Sequence, residues 1–379
     1  MKATSRVSLL VLAGLFVCAA SAIGAEGTTK KAEARKQIRD SIARGAAFLR
    51  AAQRDDGGWG GRGSDVGITG LVVEALAKAP ADMRAKNADA IEKGVEYILS
   101  NRRENGSIVN EDGSVANYRT SIATRALIAV DAQKHKDVIA AAVKYTKGIQ
   151  GTDPDDELKY GSIGYGSDES KGDIINLSEA LEMLAQAGVK EGDEVYERAI
   201  TFLGRTQNLD EYADPGVVTT NDGGGIYRAD HSVDGASKAG TIVLPDGTRV
   251  PRSYGGATYS LLKSLLFAGM DKDSPRVRAA YKWICDHYTV EEHPEMGKQG
   301  LFYFYYTMAR TLELWGSPAI KKGEAEHAWP VELGEQVVSL QKDDGSWVNS
   351  EDRWWESDPA LVTAYTISTL NICGRMLEE

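Results

Sequence analysis

The sequence predicts an all-α protein: a single closed toroid of six inner and six outer helices carrying a small β-hairpin insertion. Three observations lead there. The 40 glycines of the 379-residue chain are not scattered but cluster in short stretches between segments of helical periodicity, which marks an internal repeat. The pattern Gln-x-x-x-Gly-x-Trp occurs in full at Gln53 to Trp59 and at Gln341 to Trp347, each time after one helical run and before another. Finally, the second helix of each pair is apolar on more than one face, as in Thr120 to Val130 and Leu361 to Leu370, and a helix apolar nearly all round is enclosed by others.

The elements follow in order. First members of the pairs, each with one charged face, start near residues 34, 84, 135, 193, 274 and 330, and second members near 66, 118, 173, 254, 301 and 359. Weaker copies of the motif join the middle pairs: Arg102 to Ile108, Gln150 leading to Gly161-Ser-Ile-Gly-Tyr165, and Gln207 leading to Asp222-Gly-Gly-Gly-Ile-Tyr227. A fifth junction, Tyr288 to Gly300, lacks the motif but keeps its place between helices. Glycine ends one helix and turns the chain. Gln reaches backbone groups freed at helix ends, and Trp covers the junction. The longest junction, 208–252, contains a Pro-Asp-Gly turn between β-formers, which predicts a hairpin, and an insertion of that length is suited to be a lid.

Residues 1–25 read as a secretory signal. Lys2 and Arg6 precede the apolar run Val7 to Ala20, and small residues follow at Ala20, Ser21, Ala22 and Ala25, with cleavage expected near Ala22 or Ala25. Residues 26–379 then form the toroid, exported to the periplasm or the cell exterior. No later run is long enough to span a membrane. A formal charge of −11 repels phosphate backbones, so nucleic acid is not an expected partner. Beyond the signal only Cys285 and Cys373 remain, enough for one disulfide but no framework.

The two full motifs, the degenerate copies and the twelve-helix count resemble the terpenoid cyclase and protein prenyltransferase toroid superfamily, specifically its secreted single-toroid repeat proteins. Segments 160–166, 300–306, 344–349 and 353–356 are similar to stretches of those proteins, and the resemblance covers residues 34 to 375. It implies the fold; activity must be argued from residues, because the superfamily holds cyclases, transferases, cobalamin binders and thioester domains.

The chemistry of those relatives is only partly represented. Squalene-type cyclases start cation chemistry with a protonated acid in an Asp-x-Asp-Asp motif. Here Asp153-Pro-Asp155-Asp156 has that form, but a polar stretch separates it from the next helix. Asp173, with Asn176, is the better-placed acid at the start of an inner helix. The zinc of protein prenyltransferases finds no counterpart: Cys285 and His287 are two apart and cannot share a helical face, and a packed Cys with surface His residues is the better reading of Cys285, His287 and His293. No motif calls for a cofactor.

If every inner helix follows its glycine junction, the six N-termini converge on one mouth, whose dipoles favour an anionic group. Tyr118 and Arg119, Asp173 and Asn176, Tyr254, Tyr303 and Tyr306, and Trp355 with Glu356 are delivered there. Acids at these positions, Asp65, Asp173 and Asp358, also suit helix N-caps. Aromatic faces bind apolar chains, stabilise carbocations or stack on sugars, and core packing is the competing reading. The function expected first is binding of an apolar or partly anionic small molecule, isoprenoid-like in class, in the ring cavity. Two alternatives are a polysaccharide lyase or hydrolase using carboxylates at the mouth, and a non-catalytic scaffold binding protein on its ring face.

Overall fold

A computed structural model describes the backbone of residues 9–166, 171–230 and 233–378, with side chains from residue 29 onward. The first eight residues of the expected signal, and the side chains of the rest of it, lie outside that description. Six helices form the inner ring: α2 (Val66–Ala77), α5 (Ala116–Asp131), α7 (Ile174–Gln186), α10 (Gly255–Phe267), α12 (Leu301–Trp315) and α14 (Pro359–Met376). Each packs on the next, and α14 packs back on α2, closing the circle. The outer layer is α1 (Leu9–Ala52), α4 (Ala88–Ser100), α6 (Lys136–Gly148), α8 (Glu194–Arg205), α11 (Pro275–Asp286) and α13 (Trp329–Ser339). The short α3 (Ala81–Lys86) leads into α4, and α9 (Val233–Ala236) lies in the long insertion.

The repeat motif works as a staple between layers. The Gln53 amide donates to Gly57 O within its own turn and to Ala90 O on α4, both at 2.9 Å. Gln150 bridges Gly161 O and Val195 O on α8, and Gln207 bridges Gly223 O and Arg276 O on α11. Gln341 closes the series, bonding Gly345 O and reaching across 300 positions to Ser41 on α1. Trp59 and Trp347 are fully buried, and their indole N–H groups cap Leu49 O and Val337 O near the ends of α1 and α13. Gly57 and Gly345 both hold a left-handed backbone (φ 85° and 87°), and a Cβ there would lie 2.5–2.6 Å from a carbonyl of the outer helix alongside, so only glycine fits.

The expected hairpin is present: β1 (Thr241–Val243) pairs antiparallel with β2 (Arg249–Pro251) across the Pro245-Asp246-Gly247 turn. A second hairpin, β3 (Ile320–Lys322) with β4 (Ala325–His327), connects α12 to α13 and is not expected from the sequence, because Ile-Lys-Lys and Ala-Glu-His are poor in β-formers and no Pro-Asp-Gly turn joins them. Cys285 and Cys373 are both free thiols, so the disulfide is not made. Among the described residues no helix is long and apolar enough to cross a membrane.

Candidate functional site

A cavity of about 280 Å³ opens at the mouth where the inner-helix N-termini meet. Its wall is largely aromatic: Tyr118, Tyr165, Tyr227, Tyr254, Tyr303, Tyr365, Trp354 and Trp355, with Ile68, Leu71, Ile175 and Leu361 between them. Tyr303 and Tyr365 meet edge to face at 5.6 Å, and Tyr365 and Tyr118 share a hydroxyl hydrogen bond of 2.9 Å. Burial pushes the phenols of Tyr118, Tyr254, Tyr303 and Tyr365 upward, so at neutral pH all four are uncharged.

The residues that sequence placed at the mouth divide into two groups. Tyr118, Arg119, Asn176, Tyr254, Tyr303 and Trp355 line the cavity. Arg119, however, has its donors engaged: Nε and Nη2 go to Asp65, and Nη1 goes to Asp112 and Ser114. It braces the wall from behind. Tyr306 sits below the floor, where its hydroxyl accepts from Arg125 at 2.8 Å. Glu356 is fully buried and accepts the otherwise unpaired N–H groups of Phe302 and Tyr303 at the start of α12, together with the Asn349 amide. Its role is to cap a helix from a distant segment, although burial raises its pKa. Thr69 and Thr258 turn inward as well, accepting the junction N–H groups of Trp59 and Gly225.

The acids are caps. Asp65, Asp173 and Asp358 accept N–H groups in the first turns of α2, α7 and α14. Asp173 also accepts from the Asn176 amide and from the Tyr227 hydroxyl, and burial raises its pKa despite these bonds. Set on Asp173, an Asp-x-Asp-Asp pattern reads Asp173-Ile174-Ile175-Asn176. The third and fourth positions, Ile175 and Asn176, both line the cavity, and neither carries an acid. Asp155 and Asp156 sit in a surface turn well apart from the cavity wall, where Asp156 bonds Lys159. A proline beside three acids favours that solvated turn.

Several lining residues escaped the sequence reading. Tyr165, Tyr227 and Lys238 come from junction loops, Tyr365 from the second turn of α14, and His293 from the junction that lost its motif. His293 stacks on Phe304 at 4.8 Å, accepts from Gly256 N–H through Nε2, and donates from Nδ1 to Gln299 O. Burial, together with nearby Arg353, lowers its pKa to about 4, so the ring is neutral at pH 7, and with both nitrogens engaged by backbone groups it has no lone pair turned to a metal. No cluster of three or more potential ligands among the described residues would hold a metal. The signal missed for Tyr165 and Tyr227 was positional: each lies two residues past the slot that Trp occupies in the full motif, pointing the ring mouthward.

Below the cavity the lumen is filled by charge. Arg125 pairs with Glu74 and Glu179, Lys263 with Glu179 and Glu182, and Arg310 with Glu74 and Glu182, all buried. Burial pushes Glu179 up, but Lys263 and Arg125 outweigh it and hold the carboxylate below its ordinary value. A second, polar recess of about 370 Å³ opens on the far side of this layer, among Lys78, Glu182, Arg310, Glu313, Asn371 and Arg375.

The closed double ring, with an aromatic cavity at its inner-helix N-termini, has a terpenoid cyclase-like fold. Among solved structures it is similar to the type II terpene cyclase MstE from Scytonema. A variant bound to the substrate geranylgeranyl dihydroxybenzoate has a TM-score of 0.56 at 15% identity, over 91% of this chain and 99% of that one. A variant bound to the product merosterolic acid A has a TM-score of 0.53 at 16% identity, with the same coverage. A protein from Actinoplanes is similar too, at a TM-score of 0.53 and 15% identity over 90% of this chain and 100% of that one. No protein-family profile and no curated protein sequence matches the chain.

Proposed function

We propose that this is an exported protein whose ring cavity binds an apolar, isoprenoid-like molecule without starting acid-driven cyclisation. The observation that carries this reading is the aromatic cavity with a charged floor: ring faces and aliphatic side chains line it, and no unengaged carboxyl faces it. The isoprenoid substrate and product of the structurally similar cyclase support the ligand class. The Asp-x-Asp-Asp pattern laid on Asp173 has Ile175 and Asn176 in place of its last two acids, which favours binding over protonation. The four acids that a mouth-located sugar hydrolase would use, Asp65, Asp173, Glu356 and Asp358, all hold backbone N–H groups, and a scaffold acting through its ring face would need no cavity.

Solvent extraction and mass spectrometry of the protein purified from its native host test the reading. An isoprenoid-class molecule is expected in roughly stoichiometric amount, and it should be lost from an Ile175→Trp variant that fills the cavity yet keeps its helical circular dichroism. Extracts free of any apolar ligand, combined with no quenching of tryptophan emission by farnesol, would overturn it. Recovery of a cyclised product after incubation with a linear polyprene, abolished by Asp173→Asn, would instead make Asp173 an acid catalyst.

A further inference from the structure

Three cations gather at the rim of the aromatic cavity. Lys238, on the insertion, lines the cavity and places its ammonium 3.9 Å from the centre of the Tyr227 ring. Arg228 lies over the same ring at 5.1 Å, and Arg353 lies over Trp354 at 4.2 Å. Tyr227 and Trp354 are themselves wall residues. Among the described residues none of the three cations has a carboxylate partner, whereas Arg119, the other cation of the wall, is held by two. The Nε of Arg228 is buried with no hydrogen-bond partner. Burial first, then the charges of Arg228 and Arg353, press the Lys238 ammonium toward its neutral form, and the attraction of the buried Asp173 offsets this only in part; the cluster is cationic in a chain whose formal charge is −11.

An arrangement of like charges that repel one another is relieved by an anion placed among them. The wall offers ring faces and aliphatic surface deeper in and cationic donors only at the rim. A molecule that satisfies both halves has an apolar body and one anionic end.

We infer that Arg228, Lys238 and Arg353 form a subsite for the anionic head, carboxylate or phosphate, of an amphipathic ligand whose apolar body occupies the cavity. This rests on the cavity being a ligand site, as proposed above, and it adds the direction in which the ligand lies. The head stays at the mouth beneath the insertion, and the tail points toward the charge layer. Arg119 is excluded from the subsite because Asp65 and Asp112 already satisfy it.

Titration of the full-length protein with farnesol, farnesoic acid and farnesyl phosphate, followed by tryptophan emission at low and at high salt, separates the two ideas. The acid and the phosphate are expected to bind on the order of ten- to a hundred-fold more tightly than the alcohol at low salt, the range for a charge-assisted hydrogen bond. That preference should shrink with added salt. Lys238→Met combined with Arg353→Gln should erase the preference, so that the acid and the phosphate bind the variant no more tightly than farnesol binds the same variant. Equal binding of all three probes to the wild-type protein would overturn the anionic subsite while leaving the cavity reading intact; binding of none of them would overturn both.

Discussion

The two ends of the ring's lumen use opposite means to fill the same kind of space. At the N-terminal mouth, tyrosines and tryptophans line a cavity and leave it open; toward the C-terminal mouth, Glu74, Arg125, Glu179, Glu182, Lys263 and Arg310 fill the lumen with buried ion pairs. The difference lies in what each end has to tolerate. Apolar rings can line a void with only the loss of some dispersion contacts, whereas a desolvated charge must meet its partner or forfeit several kcal/mol. A layer of paired charges is therefore a rigid stopper, and an aromatic wall is an adaptable receptacle. Cations also suit the lower end, since helix C-termini present partial negative charge there.

Removing one member of the charge layer is the severest test of this contrast. Arg125→Met leaves Glu74 and Glu179 short of their shared partner and should lower unfolding free energy by about 3–5 kcal/mol, measured by denaturant titration. A loss below about 1 kcal/mol would mean that the layer is not the stopper described here. His293, in the cavity wall, provides the next. Its folded pKa of about 4 lies below the unfolded value near 6.5, so the unfolded chain binds the extra proton. Stability is complete above about pH 6.5 and falls as pH drops toward 4, by on the order of 3 kcal/mol in total. Thermal melts across that range should display the slope, and a His293→Asn variant should flatten it.

The smallest expected effect on stability belongs to the rim. Val115, Trp354 and Trp355 have φ of 44°, 59° and 66°, and all three line the cavity. Left-handed backbone at bulky residues is strain held at a working surface. Trp355 is more than half exposed, so Trp355→Asn should change stability by less than about 1 kcal/mol, on the gaining side, while weakening ligand binding. A variant that lost both stability and binding would make Trp355 part of the framework.

The fold was legible because its signals are local. Gln, Gly and Trp at fixed spacing mark two junctions, weaker glycine-bearing copies mark three more and helical periodicity places the sixth, so the helix starts read from sequence fall within about two residues of those observed for every inner helix. The half of the site carried by those starts was legible too: Tyr118, Asn176, Tyr254 and Tyr303 each sit at a helix entrance. What remained hidden depends on closure of the ring. Tyr227 and Lys238 are brought over the mouth by an irregular insertion. The charge layer joins residues 51 to 236 positions apart, and although Glu74 and Arg125 stand out in apolar helices, nothing local names their partners. Arg119 and Glu356 were visible at the mouth, but their engagement as brace and cap follows only from Asp65, Asp112 and the α12 backbone.

The staple from Gln341 to Ser41 has a consequence for assembly. An open stack of helical repeats gains stability piece by piece and survives the loss of a terminal unit. Here the first and last helix pairs are neighbours, so the contact that completes the circle is also the one most remote along the chain, and loop-closure entropy opposes it until nearly everything else is in place. Five pairs cannot close the curvature that six define. The chain should fold all at once or not at all, and the cavity comes into being only with the final turn of the circle.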